Sequence, residues 1–319
     1  MTVQRPDLSP TAVESLLAQI ERAIGREMFN ALRSLRDALA LPALIPLIFQ
    51  RSIREVLDSV PWPVLQNALA QTQRRLATVR ELGWRQALHG LPPKTLKLPD
   101  LRLELGAHAQ VKPDVMAAIQ RQDLSRITAI TEETREAIRE RLTAGLAKGQ
   151  PPADLARDLR ELIGLNRPQA KALAAYRAQL EKAGRDPAQI ERMVARRSTR
   201  MLNQRARVIA GNESMRAIAE GLRAQWDRLV DEGHLASKDW EKEWLTAGEF
   251  ETRVCPICRP FNGARADIGG TYTSRIGTVS SGPPEHVSCR CIERLTIRDF
   301  RKGERPAPAR DRILAALGV

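Results

Sequence analysis

Aromatic side chains are scarce in this sequence: Phe, Trp and Tyr make up 4% of its 319 residues, against 28% charged residues. Cores must therefore be built from aliphatic side chains, which is the composition of long amphipathic helices with small interiors. The same scarcity argues against base-stacking platforms of the kind used by single-strand-binding folds. Long hydrophobic runs are also missing. The longest, LALPALIPLIF at 39–49, contains Pro42 and Pro46 and is shorter than the ~20 residues of a bilayer span. It reads as buried helix ends around a proline-marked bend, and no membrane association is expected. The opening MTVQRPDLSP has no apolar core, so no signal peptide is expected and the protein reads as one made and used in a cytoplasm. No P-loop, GxSxG or HExxH motif occurs, nor a helix-turn-helix, RRM or repeated finger pattern. Neither catalysis, nor a small-molecule substrate, nor base-specific recognition is expected.

Acidic residues are outnumbered. Lys and Arg total 51 and Asp and Glu 38, a net charge of +13. Such an excess favours contact with a polyanion or an acidic protein surface through steering and counterion release.

Cysteine is rare too, and unevenly placed. All four cysteines, Cys255, Cys258, Cys289 and Cys291, lie within RVCPICRPFNGARADIGGTYTSRIGTVSSGPPEHVSCRCIER at 253–294, together with His286. A CxxC knuckle turns two thiolates toward one ion, and HxxCxC supplies the other half of a tetrahedral shell. Zinc suits such a set as a closed structural site. Five residues compete for four places: the expected ligands are Cys255, Cys258, His286 and one or both of Cys289 and Cys291. In a strand, Cys289 and Cys291 would point to one face. Unmodified core thiols and disulfides are the alternatives. The intervening loop, with an Asn262-Gly263 turn and Pro283-Pro284 before His286, is too rich in Gly, Ser and Pro to build a core of its own, and a metal would replace one.

Apolar residues at helical spacing, Leu16, Leu17, Ile20, Ile24, Met28, Leu32, Leu35 and Leu39, predict a long helix over 9–39. Helices at about 47–58 and 63–89 follow, so residues 1–90 read as an N-terminal helical arm or bundle, with Trp62 and Trp84 as core residues. Alternation over Leu96–Leu105 marks 91–112 as a linker or short strands. His89 and His108 at its edges have no ligand partners in sequence, and His234 is equally isolated. Helices are expected at 113–121, 127–148, 152–163, 167–184 and 187 to about 231, forming a helical body over 113–235. Gly149 and Pro151-Pro152 separate the second from the third, Gly164 closes the third, and Asn166 caps the fourth. The fifth carries Gly211-Asn212 in its middle, a place for a kink, and Glu213 is read as pairing with Arg207 or Arg216. Residues 236–297 form the Cys/His-rich module, entered through a β element at Trp240 and Trp244, and 298–319 form a basic tail. The fold class expected is mainly α: an elongated helical body with a small C-terminal β-containing, zinc-stapled module.

In the fifth helix, Arg192, Arg196, Arg197, Arg200, Arg205 and Arg207 follow one another with no acidic residue between them. Arg192, Arg196 and Arg200 share a face, with Arg197 beside it. This is a basic stripe for DNA phosphates or an acidic protein groove, or else a solvated face whose acidic partners lie on neighbouring helices.

The run KEWLTAGEFETRVCPICRPFNG, followed by GPPEHVSCRC, resembles the C-terminal signature of phage head morphogenesis proteins, the minor head proteins typified by the F protein of phage Mu. RARVIAGNESMRAIAEG at 205–221 resembles that family's RAxxIAxTE helix, and 145–184 its middle helices. The likeness covers roughly 125–295. Gly211-Asn212 stand where the family usually has Arg-Thr, and Asn262 where it often has Asp. Some relatives carry additional toxin or transferase domains, and none is expected here. The resemblance implies a structural part of the head, acting with the portal protein and with scaffold or major capsid protein, touching genomic DNA, and located in the host cytoplasm during assembly and then in the virion head. The alternative from a different class is a zinc-stapled nucleic-acid-binding protein without catalytic activity.

Overall fold

The computed structural model describes residues 10–89, 113–233, 235, 237, 239–246 and 255–298. The expected linker at 91–112, with His108 and the Leu96–Leu105 alternation, lies outside them, as do His234, residues 299–319 of the basic tail and the side chain of His89. The chain divides into two compact units. One is built from the described residues of 1–83 and 98–220, the other from those of 84–97 and 221–319.

The first unit is helical. α1 (Pro10–Asp37) follows the predicted leucine spacing and buries Ile24, Met28, Leu32 and Leu35. The chain then departs from expectation. Instead of a bend, LALPALIPLIF forms a helix, α2 (Leu41–Phe49), with Pro42 in its first turn and Pro46 inside it. A proline in the first turn removes an N–H that has no helical partner anyway, and burial of Leu44 and Ile48 stabilises the short segment despite Pro46. Arg51, in the left-handed region at φ 57°, ends that turn, and α3 (Ile53–Asp58) is separate, where one helix over 47–58 was expected. α4 (Trp62–His89) starts at the Pro61-Trp62-Pro63 corner. Trp62 is buried and its Nε1 donates to the Leu57 carbonyl at 3.0 Å.

α5 (Pro113–Ala147) runs through the stretch where two helices were expected, because Gln122–Arg126 contain neither glycine nor proline to break it. Its end is a Schellman turn: Gly149 at φ +66° donates to Leu146 O while Gln150 N donates to Gly145 O. α6 (Pro152–Leu162) follows, and then α7 (Arg167–Lys182), which opens with a capping box. Asn166 accepts from Gln169 N at 3.1 Å while the Gln169 side chain accepts from Asn166 N. α8 (Pro187–Asp231) has 45 residues and continues through Gly211 and Asn212.

Leu32, Leu35, Leu44, Ile48, Leu65, Ile138, Leu155, Leu159 and Leu202 form one core. Each fully buried aliphatic side chain contributes roughly 2 kcal/mol. The α6–α7 turn is wedged into it: a Cβ at Gly164, φ +80°, would lie 2.7 Å from Leu202 Cδ1 and 3.2 Å from Leu32 Cβ. At its edge, buried Asp158 receives Arg141, Gln150 and, at 3.0 Å, Arg177.

In the second unit, β1 (Trp240–Leu245) is the centre of a three-stranded antiparallel sheet between β2 (Arg265–Asp267) and β5 (Ile292–Ile297). A two-residue-per-strand hairpin, β3 (Tyr272–Thr273) and β4 (Val279–Ser280), stands beside it. Trp244 stacks on Phe261 with centroids 4.6 Å apart and meets Tyr272 edge-on at 5.4 Å. These rings share one buried cluster with Cys258, Cys289 and Cys291.

Candidate metal centre

Each half of the centre is shaped by its local sequence. After Cys255 the chain turns tightly: Cys258 N donates to Cys255 Sγ at 3.3 Å and Arg259 N to Cys255 O, leading into the 3₁₀ turn Arg259–Phe261. Both sulfurs thereby face inward. Gly263 at φ +73° lets the chain reverse and its N–H reach Trp244 O, while Asn262 Oδ1 accepts from Thr246 N and Oγ1. On the other side the Pro283-Pro284 bond is cis, and the segment delivers His286. Cys289 N donates to His286 O across Ser288, which sits at φ 62°.

The two halves converge. His286 Nε2 lies 2.8 Å from Cys255 Sγ and 3.1 Å from Cys258 Sγ, and Cys258 Sγ lies 3.7 Å from Cys289 Sγ. A tetrahedral ion with metal–sulfur bonds of about 2.3 Å needs sulfurs about 3.8 Å apart, so the last separation is already an edge of such a shell. Two triads result, Cys255–Cys258–His286 and Cys258–Cys289–Cys291, each with its ligand atoms within 4.8 Å of one another. All four thiols are unbonded to one another. Cys289 and Cys291 lie just before β5 rather than in a strand, so the loop, not strand alternation, brings both toward Cys258.

The two shifted thiols move in opposite directions. Hydrogen bonding from Cys291 is the main cause that lowers Cys289 to about 5, against the effect of burial, while burial pushes Cys258 up. His286 Nδ1 is 2.8 Å from Val287 O; with the proton on Nδ1, Nε2 presents its lone pair to the sulfurs. Glu285 accepts from Ser280 Oγ. The residues therefore suit a closed structural metal site of thiolate and imidazole ligands.

Sequence reading overlooked a neighbour of this centre. Glu293 is fully buried and accepts from Arg223 Nε at 2.6 Å and Tyr272 OH at 3.1 Å, with Lys242 Nζ at 3.5 Å. Burial lowers the Lys242 ammonium and raises the Asp227 carboxyl and the Tyr272 hydroxyl. The available signal was the alternation in IERLTI, which places Glu293 on the same inward face as Leu295.

The arginines of α8 sort into two kinds. Arg205 is buried and donates to Gly164 O and Glu133, so it ties helices together. Arg197 is half-buried and lies 4.4 Å over the Tyr176 ring. Arg192, Arg196, Arg200 and Arg207 are exposed, and no ion pair or hydrogen bond reaches their side chains among the described residues. Glu191, the nearest acid in sequence, is taken by Arg177. Glu213 pairs with Arg216 at 3.6 Å.

Fold and centre together define a class: a mainly α-helical protein with a small β region carrying Cys/His clusters compatible with a structural metal. Comparison with family models, with curated proteins and with solved structures returns no match. No helix among the described residues is long and apolar enough to cross a membrane.

Proposed function

We propose that this chain is a non-catalytic nucleic-acid-binding protein whose C-terminal module is stapled by zinc. The observation that carries the reading is the exposed row Arg192, Arg196 and Arg200 on one face of α8, without an acidic partner among the described residues, in a chain of net charge +13. Arg197 flanks that row but is engaged with Tyr176, so it contributes less. Zinc would be held by Cys255, Cys258, His286 and Cys289, with Cys291 hydrogen-bonded beside Cys289. A closed shell of this kind supplies folding energy and no open position for water. Binding of this type depends on phosphate charge and not on base identity. The test is fluorescence anisotropy of the purified protein with labelled duplexes of two unrelated sequences across a salt series. Equal affinities that fall steeply with salt support the reading, and no binding at low salt overturns it.

A second reading, a phage minor head protein that works with the portal protein and with scaffold or major capsid protein, draws its support from the resemblance in sequence. Its CPIC and PPEHVSCRC segments are the two halves of the candidate centre. In that setting the polyanion would be packaged genomic DNA, and the place of action the host cytoplasm and then the virion head. Co-expression with the structural genes of a head, followed by purification of procapsids, tests it; absence of the chain from portal-containing particles overturns it.

A further inference from the structure

The row on α8 has a neighbour that sequence spacing does not reveal. α1 packs antiparallel along the first half of α8. A Cβ at Gly25 would lie 3.7 Å from Ala210 Cβ and 3.8 Å from Arg207 Cα, while Arg36 Nη1 reaches Thr199 Oγ1 at 3.3 Å. The α1 line facing α8 thus runs through Gly25 and Arg36, and the α8 line facing α1 through Ala210 and Thr199. At 100° per residue, Arg22 and Arg26 sit roughly 70° from the contact line of α1, toward increasing helical angle. Arg196, Arg200 and Arg207 sit roughly 70° from the contact line of α8, in the same sense, while Arg192 lies close to that line but about 10 Å past the Arg36–Thr199 contact, beyond the end of α1 at Asp37. Because the helices run in opposite directions, equal rotations about their own axes carry both rows to the same side of the pair.

Arg22 and Arg26 are exposed and, like the α8 row, have no ion pair or hydrogen bond among the described residues. The register places Arg26 beside Arg207. Arg33 lies on the same line but is paired with Asp37 at 3.3 Å and is left out of the set. Acidic side chains near the strip are engaged elsewhere: Glu27 with Arg75, and Glu191 with Arg177.

We infer that α1 and α8 together form a two-row arginine strip that grips the phosphate backbone of double-stranded nucleic acid, with Arg22 and Arg26 completing the row Arg192, Arg196, Arg200 and Arg207. This rests on the nucleic-acid reading above and adds the second helix and the duplex form of the ligand. Charge matching favours a duplex over a single strand or an acidic protein. The α8 row spans roughly 22 Å of helix axis, and a duplex presents one phosphate per about 1.7 Å of its own axis on two parallel tracks. Two rows of cations a helix diameter apart, about 10 Å, match two tracks better than one. Few aromatic residues are available to stack unpaired bases.

The experiment compares the full-length protein with Arg22→Ala/Arg26→Ala and with Arg192→Ala/Arg196→Ala/Arg200→Ala, each checked for unchanged thermal melting. Anisotropy is read against one labelled duplex, its single strand and a polyglutamate peptide over a salt series. Six phosphate contacts give a slope of log affinity against log salt of about −5. The α1 double variant is expected to bring it to about −4 and to weaken duplex binding at least tenfold at low salt. The α8 triple variant is expected to bring it to about −3. If the unaltered protein binds duplex and the α8 variant weakens it while the α1 variant leaves slope and affinity unchanged, the two-row strip is overturned and the α8 reading stands. Single strand bound as tightly as duplex also overturns the two-row strip. If the unaltered protein binds no nucleic acid, or binds only polyglutamate, both readings fall.

Discussion

Cys258 belongs to both triads, and no other residue of the centre does. Cys258→Ser is therefore expected to abolish metal retention, whereas Cys291→Ser leaves Cys255, Cys258, His286 and Cys289 to hold the ion. Elemental analysis of the purified variants after dialysis checks this; equal metal in Cys258→Ser and the unaltered protein would contradict the assignment. All five ligand candidates were legible in the sequence, because four cysteines gathered in two clusters are unlike core thiols. The division into two triads was not, since spacing fixes which residues are local and not which sulfurs meet across the loop. Glu293 was missed for a related reason: alternation in IERLTI puts it on the face of Leu295, but the partners that let a buried glutamate stay there, Arg223 and Tyr272, come from elsewhere in the chain.

Among the elements, helices announced themselves by leucine spacing and by capping residues, and Asn166 does cap α7 as expected. The errors lie where tertiary burial overrides local signals. Pro46 read as a bend and sits in a helix, since Leu44 and Ile48 are drawn into the core. The turn at Gly164 depends on the absence of a side chain at one residue. Gly164→Ala is expected to cost about 3 kcal/mol, from the left-handed backbone together with the contact to Leu202, as measured by urea unfolding. The α7–α8 hairpin also carries a pH dependence. Hydrogen bonding from Arg177 holds Glu191 below the ordinary carboxylate range, opposed by burial. Its contribution is therefore full above the unfolded value and is lost as pH falls through the folded one. Unfolding curves of Glu191→Gln should show lower stability than the unaltered protein near neutrality and a converging difference in acid; a constant offset at every pH would exclude this linkage.

For the whole molecule, composition stated the broad class, since few aromatics and many charges accompany a mainly helical chain with a small β region. Composition could not say which arginines are structural. Arg205 is as basic in sequence as Arg200, yet it is buried against Gly164 O and Glu133 while Arg200 is exposed. Two buried clusters differ in kind, one aliphatic and helical, the other of rings and thiols. Chelation is expected to change the near-ultraviolet circular dichroism, where Trp244 and its stacked Phe261 report, and to leave the far-ultraviolet helical signal largely intact. Loss of most helical signal would show that the interiors are not independent.

In β1, Trp240 through Trp244 are buried without a break, and the strand is bonded on both sides, to β2 and β5. A strand with no face and no edge in water can exchange its amide protons only when the module opens. The slowest deuterium uptake between residues 240 and 244 is thus a clock for that opening, and its rate with and without metal measures how tightly the cysteines hold the module shut.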